Sequence, residues 1–229
     1  MAKRPIFIPN LKGEVGITVR ILEFDWYPGF AKIQKQRSIT SLHKAAKDMG
    51  WAPLLEVSTN SNESLGADLS AFNLKFTTKK YQKEFSVESA FQGSKVFHRA
   101  GPHKELYFSS PRDAKKFITS SDFGGLVGFE FFNIHFPLEP KTFFYDWLYI
   151  NALLQNLELL DLAEKFVGFS DIAFNPQKSI NCQAKSLALA ISLNNRGLLK
   201  PELCEPMKFL DASGGYYSQQ ENWLQNSLF

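Results

Sequence analysis

The sequence predicts an α+β fold, mainly helical with a small sheet, preceded by an N-terminal stretch of α/β character. Three observations predict it. Apolar residues recur at helical spacing around Ser38–Met49, Ser86–Phe97, Lys141–Leu160 and Gln183–Asn195. Strand-like runs are short and scattered between them, the clearest being Ile6–Ile8, Val15–Tyr27 and Pro53–Val57 near the start. The chain has 229 residues, 44% apolar and 21% charged, which suits one substantial globular domain and excludes a disordered one.

Val15 to Tyr27 alternates, with Ile17, Val19, Ile21 and Phe24 marking a buried side, and Pro28-Gly29 ends it. Ser38 reads as the cap of a helix through Met49, with Leu42, Ala45, Ala46 and Met49 on one face and Gly50 as the stop. Pro53–Val57 is a second strand, Glu63–Asp68 a short helix, and Leu69–Phe76 a further strand. Ser110-Pro111 starts a helix, and Gly124–Phe132 is a strand with Leu126, Phe129 and Phe131 available for burial. Lys141–Leu160 is a core helix broken near Asn156, and Phe169–Phe174 a short strand. Gln183–Asn195 closes the domain, stopped by Gly197. Asp211–Phe229 lacks a coherent pattern and reads as a tail, docked at most through Trp223 or Phe229.

Bulk properties exclude several classes. The net charge of +3 is a weak bias toward anionic partners. Cys182 and Cys204 are far apart with no partner at metal spacing, so neither a disulfide framework nor a zinc site is indicated, and no cofactor is expected. His43, His98, His103 and His135 are scattered and read as surface or core. No internal repeat, heptad pattern or glycine-rich phosphate loop is present. No apolar run reaches the length of a membrane span, and the expectation is a soluble cytoplasmic protein without a membrane partner. The 22 Phe exceed what a minimal core needs and suggest an aromatic wall around a pocket.

The informative stretch is Ser86–Phe97. On a helix, Glu88, Gln92 and Lys95 share one face, with Val87, Ala90, Phe91, Ser94 and Phe97 opposite. Ser86 reads as its N-cap, which puts Glu88 in the first turn, where the helix dipole favours a carboxylate. A solvated surface is the ordinary reading of such a trio from spacing alone.

Ser86-x-Glu88-x-x-Phe91-Gln92-x-x-Lys95 resembles the signature helix of the NADAR (YbiA-like) superfamily, whose members cleave N-glycosidic bonds to ribose. Leu69–Phe76, with Phe72 inside it, resembles that family's Phe/Leu-Ser-Asn-Phe-Tyr strand. Pro111-x-x-Ala114-Lys115 is similar to its Pro-x-x-Ala-Lys helix, which makes Lys115 the matching lysine. The Gly101-Pro102-His103 loop has His103 where the subgroup has Tyr. Phe143–Leu153 and Asn175–Ala184 bring the resemblance closest to the NADAR subgroup associated with guanine-specific DarT-type toxins. Residues 1–68 then read as an extension packed on the core, 69–210 as the NADAR domain and 211–229 as the tail.

What the resemblance implies is hydrolysis of ADP-ribose from guanine in DNA or RNA, as antitoxin to a DarT-type ADP-ribosyltransferase. Cleaving the C1″–N bond passes through an oxocarbenium-like state, so Glu88 is the candidate carboxylate that stabilises charge or activates water. Lys95 is the candidate proton donor to the leaving guanine or, with lowered pKa, a nucleophile forming a Schiff base. Gln92 would orient a ribose hydroxyl or the water. Lys115, Lys178 and the helix start at Gln183 are candidates for the pyrophosphate. Asn175 and Asn181 are polar contacts of a loop that departs from the wider family's Asp and Trp-Gly. Trp147 stacks on a base or packs the core, and Asp146 is an inward polar position of the same pocket. Two alternatives stand beside this reading. One is a YbiA-like N-glycosidase of riboflavin-pathway intermediates, and the other a non-catalytic module binding ADP-ribose or the toxin.

Overall fold

The computed structural model describes residues 1–78 and 82–218, and Trp223 and Phe229 lie outside them. The fold is α+β. β1 (Ala2–Pro9) and β2 (Ile17–Phe24) pair antiparallel along their full length, Ala2 opposite Phe24 and Pro9 opposite Ile17. β3 (Leu54–Glu56) does not pair with β1 directly. A strand from far along the chain, β9 (Gly168–Ser170), inserts between them, antiparallel to β1 and parallel to β3. Residues 1–56 are thus stitched to the later chain through one four-stranded sheet.

Both faces of that sheet are covered. α1 (Lys32–Asp48) buries Ile39, Leu42 and Ala46 against Ile6, Ile8, Leu22 and Phe24. α7 (Gln183–Asn195) packs on β1 and β2 from the other side, where Phe7, Ile17 and Val19 meet the main core. The buried side expected for β2 is therefore split. Leu22 and Phe24 face α1, while Ile21 lies beyond the reach of α7 and is 48% exposed. α1 also starts at Lys32 rather than at Ser38. Ser38 sits buried within it and accepts the Tyr27 N–H at 2.9 Å, which ties down the connection from β2.

The centre holds α3 (Val87–Gly93), α5 (Phe143–Leu153) and α7. Every residue of α3 and α5 is buried, as is α7 through Leu193, which fits helices covered on all sides. α5 ends where Asn156 intervenes, its side chain donating to Ala152 O at 2.8 Å and Lys75 O at 3.1 Å before α6 (Leu157–Ala163). The stretch expected as a strand over Leu69–Phe76 is wound into turns after α2 (Ser64–Asp68). Asn73 and Leu74 N–H both bond Ser70 O, so strand geometry begins only at β4 (Lys75–Thr77), paired with β5 (Glu84–Ser86). A meander of β6 (Lys95–Phe97), β7 (Leu126–Phe131) and β8 (Ile134–Phe136) lies beside α3. A 3₁₀ turn (Lys104–Phe108) and α4 (Pro111–Ser120) complete that side.

Near the C-terminus a 3₁₀ turn (Pro201–Cys204) leads to α8 (Pro206–Ser213). The first part of the expected tail belongs to the core. Tyr216 and Tyr217 are buried, Tyr217 lies edge-on to Phe143, and Tyr217 Oη lies 3.5 Å from Asp146. No helix among the described residues is long and apolar enough to cross a membrane.

A buried acid pair, Glu56 and Asp171, joins the sheet to α7. Glu56 accepts from Ser58 Oγ at 2.7 Å, Ser170 Oγ at 2.6 Å and Ile172 N–H at 2.8 Å. Asp171 accepts from Ala173 N–H at 3.0 Å and Gln183 Nε2 at 3.3 Å. Burial raises both carboxyls, Asp171 to about 7 with the Glu56 charge adding to the effect. Burial lowers His43, 2.9 Å from Ser170 Oγ, to about 4.

The signs oppose. The folded protein keeps a carboxyl proton that the unfolded chain loses near pH 4, so that stabilisation is full below about pH 4 and is lost as pH rises through 7. His43 stays neutral when folded, so its contribution is present above about pH 6.5 and is lost as pH falls toward 4. Asp171→Asn should remove Asp171's share of the first dependence, leaving that of buried Glu56 and the second in place. Its Tm is expected to climb between about pH 4.5 and 6.5 relative to the parent, by roughly 2–4 °C per kcal/mol. Parallel profiles by differential scanning calorimetry would contradict this assignment.

Candidate functional site

The site begins with the capping of α3. Ser86 Oγ accepts the Ser89 N–H at 3.0 Å, as a Ser N-cap does. The next free donor, Glu88 N–H, bonds Ala71 O at 2.8 Å. Ala71 is itself held by Gln183, whose Oε1 accepts the Ala71 N–H at 2.6 Å and whose Nε2 donates to Val57 O and Asp171. This is why residues 69–74 are turns: Ala71 must offer its N–H to α7 and its carbonyl to α3.

Glu88 and Gln92 stand one turn apart, and Gln92 Nε2 donates to Glu88 Oε1 at 2.9 Å. On its other side Gln92 Oε1 accepts from Lys95 Nζ at 2.7 Å. The network fixes the amide orientation, nitrogen toward the carboxylate and oxygen toward the ammonium. Lys95 is not on the helix, which corrects the helical-face reading. α3 ends at Gly93, where a Cβ would stand 2.7 Å from the Tyr107 ring and 2.8 Å from His103 O. Ser94 O then accepts the Glu130 N–H at 2.8 Å, drawing the chain into β6 with Lys95 opposite Phe129. Lys95 thus meets Gln92 across a helix-to-strand turn.

These side chains lie on one wall of a cleft of about 850 Å³, a volume in the range of small-ligand sites. Phe91, Phe129, Phe144 and Tyr145 supply the aromatic wall, with Tyr145 edge-on to Phe91 at 5.0 Å. α4 contributes Lys115 and Thr119, and the segments 137–142 and 176–181 close the rim. Glu88 and Gln92 are 6% and 4% exposed. Lys115 Nζ approaches Glu88 Oε1 at 3.9 Å from the open side. Burial lowers the Lys95 pKa to about 8, the Glu88 charge opposing and Lys115 adding to the shift. Burial also holds the Tyr145 hydroxyl well above its usual value, with Glu88 reinforcing it, so the phenol stays protonated.

Of the residues expected from sequence, the fold brings Glu88, Gln92, Lys95, Lys115, Lys178 and Asn181 to this cleft. Phe72 lies beneath the Lys115 ammonium, 5.9 Å from ring to Nζ. The others stand elsewhere. Ser86 is spent on capping. Trp147 is packed in the core against Phe136 at 4.8 Å and Phe131 at 5.9 Å. Asp146 is buried, accepting from Thr142 Oγ1 and Ser186 Oγ at 2.6 Å each. Asn175 folds the loop, its Oδ1 accepting the Gln177 N–H at 3.0 Å. Gln183 faces inward and positions Ala71. The His103 ring lies between Phe117 and Phe123, away from the cleft. Sequence reasoning passed over Phe129, Tyr145, Thr119 and the 137–142 segment. The excess of Phe was a signal for the aromatic wall, but none pointed to the segment.

Among the described residues no group of three or more His, Cys, Asp or Glu gathers as a metal site. The arrangement offers a carboxylate, a partly deprotonated amine and a bridging amide in a half-enclosed cleft with a cationic rim.

A family model described as DarT1-associated NADAR antitoxin matches residues 2–222, and the chain belongs to that family. No curated protein matches the chain in sequence.

The charges on Lys95 make a direct check. Glu88→Gln should lower its pKa below about 8, and Lys115→Met should raise it. Nζ titration by NMR on selectively labelled protein reads both, and shifts of the opposite sign would contradict the electrostatics.

Proposed function

We propose that this DarT1-associated NADAR antitoxin removes ADP-ribose from guanine bases of nucleic acid, reversing the lesion made by a DarT-type toxin. The observation that carries the reading is the Glu88–Gln92–Lys95 chain, hydrogen-bonded end to end at the wall of the cleft. Each member has a defined task. As the C1″–N bond lengthens, positive charge builds on the sugar, and the Glu88 carboxylate stabilises it or takes a proton from water. Gln92 keeps the carboxylate and the ammonium from pairing directly, so both stay available to substrate.

Lys95 supports two routes. As an ammonium it protonates the departing guanine amine. As an amine it bonds to C1″ while the C1″–N bond breaks, its released proton going to guanine. Ring opening then gives an imine, and water activated by Glu88 frees the ribose and returns the amine. A pKa of about 8 leaves Lys95 mainly an ammonium near neutrality with a minor neutral share, so each route has its form of the residue present. Lys115 and Lys178 on the rim suit the two phosphates, and the aromatic wall suits a base or ribose face.

Glu88→Gln and Lys95→Met are each expected to cut release of ADP-ribose from a guanine-ADP-ribosylated oligonucleotide by roughly 10²–10⁴-fold. Thermal unfolding would stay near that of the parent. Full turnover in either variant would remove its assigned role. Cyanoborohydride during turnover separates the routes, since a mass adduct on Lys95 marks the amine route and turnover without adduct the acid route.

A further inference from the structure

A surface patch beside the cleft has no part in the proposed reaction. Phe108 and Phe132 are 56% and 52% exposed, and each ring rests 6.1 Å from buried Phe85. Phe132 is the less ordinary of the two. It stands at the tip of the β7–β8 hairpin with φ +46°, followed by Asn133 at +66°. Such paired positive angles favour Asn and Gly, and a bulky residue there is uncommon. Turn chemistry does not account for a phenylalanine in this place: one side of its ring packs on Phe131 at 4.7 Å and Tyr107 at 5.8 Å, and about half of the residue stays open to water.

Cations accompany the rings. Lys83 Nζ lies 5.0 Å from the Phe108 ring, and Lys104 Nζ donates to Asn133 Oδ1 at 2.9 Å while pairing with Glu130. From Phe108 the chain enters α4, whose exposed side carries Arg112, Lys115 and Lys116. Chain length bounds the separations. Phe85 precedes Glu88 by three residues, so their Cα atoms lie within about 11 Å. Arg112 follows Phe108 by four, within about 14 Å. Phe108 is thus one short connection from α4, which carries Lys115 of the cleft rim, and the ring beneath both phenylalanines is three residues from Glu88.

We infer that Phe108 and Phe132 form a stacking platform for unpaired bases of the strand that carries the modified guanine, with Lys83 and the α4 cations holding its phosphates. This rests on the reading of the cleft given above. Exposed ring faces interleaved with cations suit a nucleic-acid strand, whose bases stack without regard to sequence while its phosphates seek ammonium groups. Glu130 is taken up by Lys104, which limits its repulsion of such a strand.

The test compares the parent with Phe108→Ala/Phe132→Asn, in which Asn suits the turn and Phe85 is untouched. Two substrates are used, a single-stranded oligonucleotide ADP-ribosylated at guanine and ADP-ribosyl-guanosine alone. The expected result is an oligonucleotide KM raised by roughly tenfold or more, with kcat and turnover of the nucleoside unchanged. Anisotropy with an unmodified single strand should weaken in parallel. Unchanged oligonucleotide KM and affinity would overturn the inference, as would a double variant that loses affinity only for the purified toxin. If the parent turns over neither substrate, the cleft reading fails, and the anisotropy still decides the platform.

Discussion

The structure depends on a single carboxamide. Gln92 spans Glu88 at 2.9 Å and Lys95 at 2.7 Å, and its two ends cannot be exchanged without facing like to like. A buried acid and amine in direct contact would hold each other charged and occupied. Separated by an amide, they remain fixed in direction yet free on the side that faces the cleft. Burial then acts on Lys95 more than the Glu88 charge does, and its proton affinity falls.

This geometry is bought with a sequence of buried polar contacts behind it. Glu56 bonds Ser170 and Ile172, Asp171 bonds Gln183, Gln183 holds Ala71, and Ala71 receives the Glu88 N–H. Burying two carboxyls opposes stability unless they are hydrogen-bonded or protonated, and here they are bonded from several sides. The N-terminal sheet therefore has a physical connection to the cleft. β9 inserts between β1 and β3, and its end supplies Asp171 to the support of Gln183. Loosening that support would move the start of α3, and in the proposed reaction a small shift of Glu88 would be costly.

Much of this was legible in the chain. Helices α5, α6 and α7 follow from their apolar content and length, and Asn156 and Gly197 mark their interruptions through side-chain bonding and positive φ. Glu88 and Gln92 on one helical face were legible from their spacing. Lys95 reaches the same place by another path, because whether a helix continues past Gly93 depends on Tyr107 and His103, which arrive from later sequence. The turns at 69–74 were hidden likewise, since an apolar run cannot reveal that Ala71 is wanted by Gln183, 112 positions away. Trp147 and Asp146 lie on a helix buried all round, where periodicity does not distinguish a pocket from the core. The rim segment 137–142 carries no motif, and its role exists only in three dimensions.

A cationic rim, an aromatic wall and an acid and amine bridged by Gln92 support the proposed reading, in which an ADP-ribosyl N-glycoside sits with its anomeric carbon between Glu88 and Lys95. The most direct measurement is a crystal structure of the Glu88→Gln protein with a guanine-ADP-ribosylated dinucleotide. The expected result is C1″ in near-attack contact, about 3.5 Å, with both the residue 88 side chain and Lys95 Nζ, and the phosphates against Lys115 and Lys178. A ribose bound outside this cleft, or reversed so that the adenosine lies at Lys95, would contradict it.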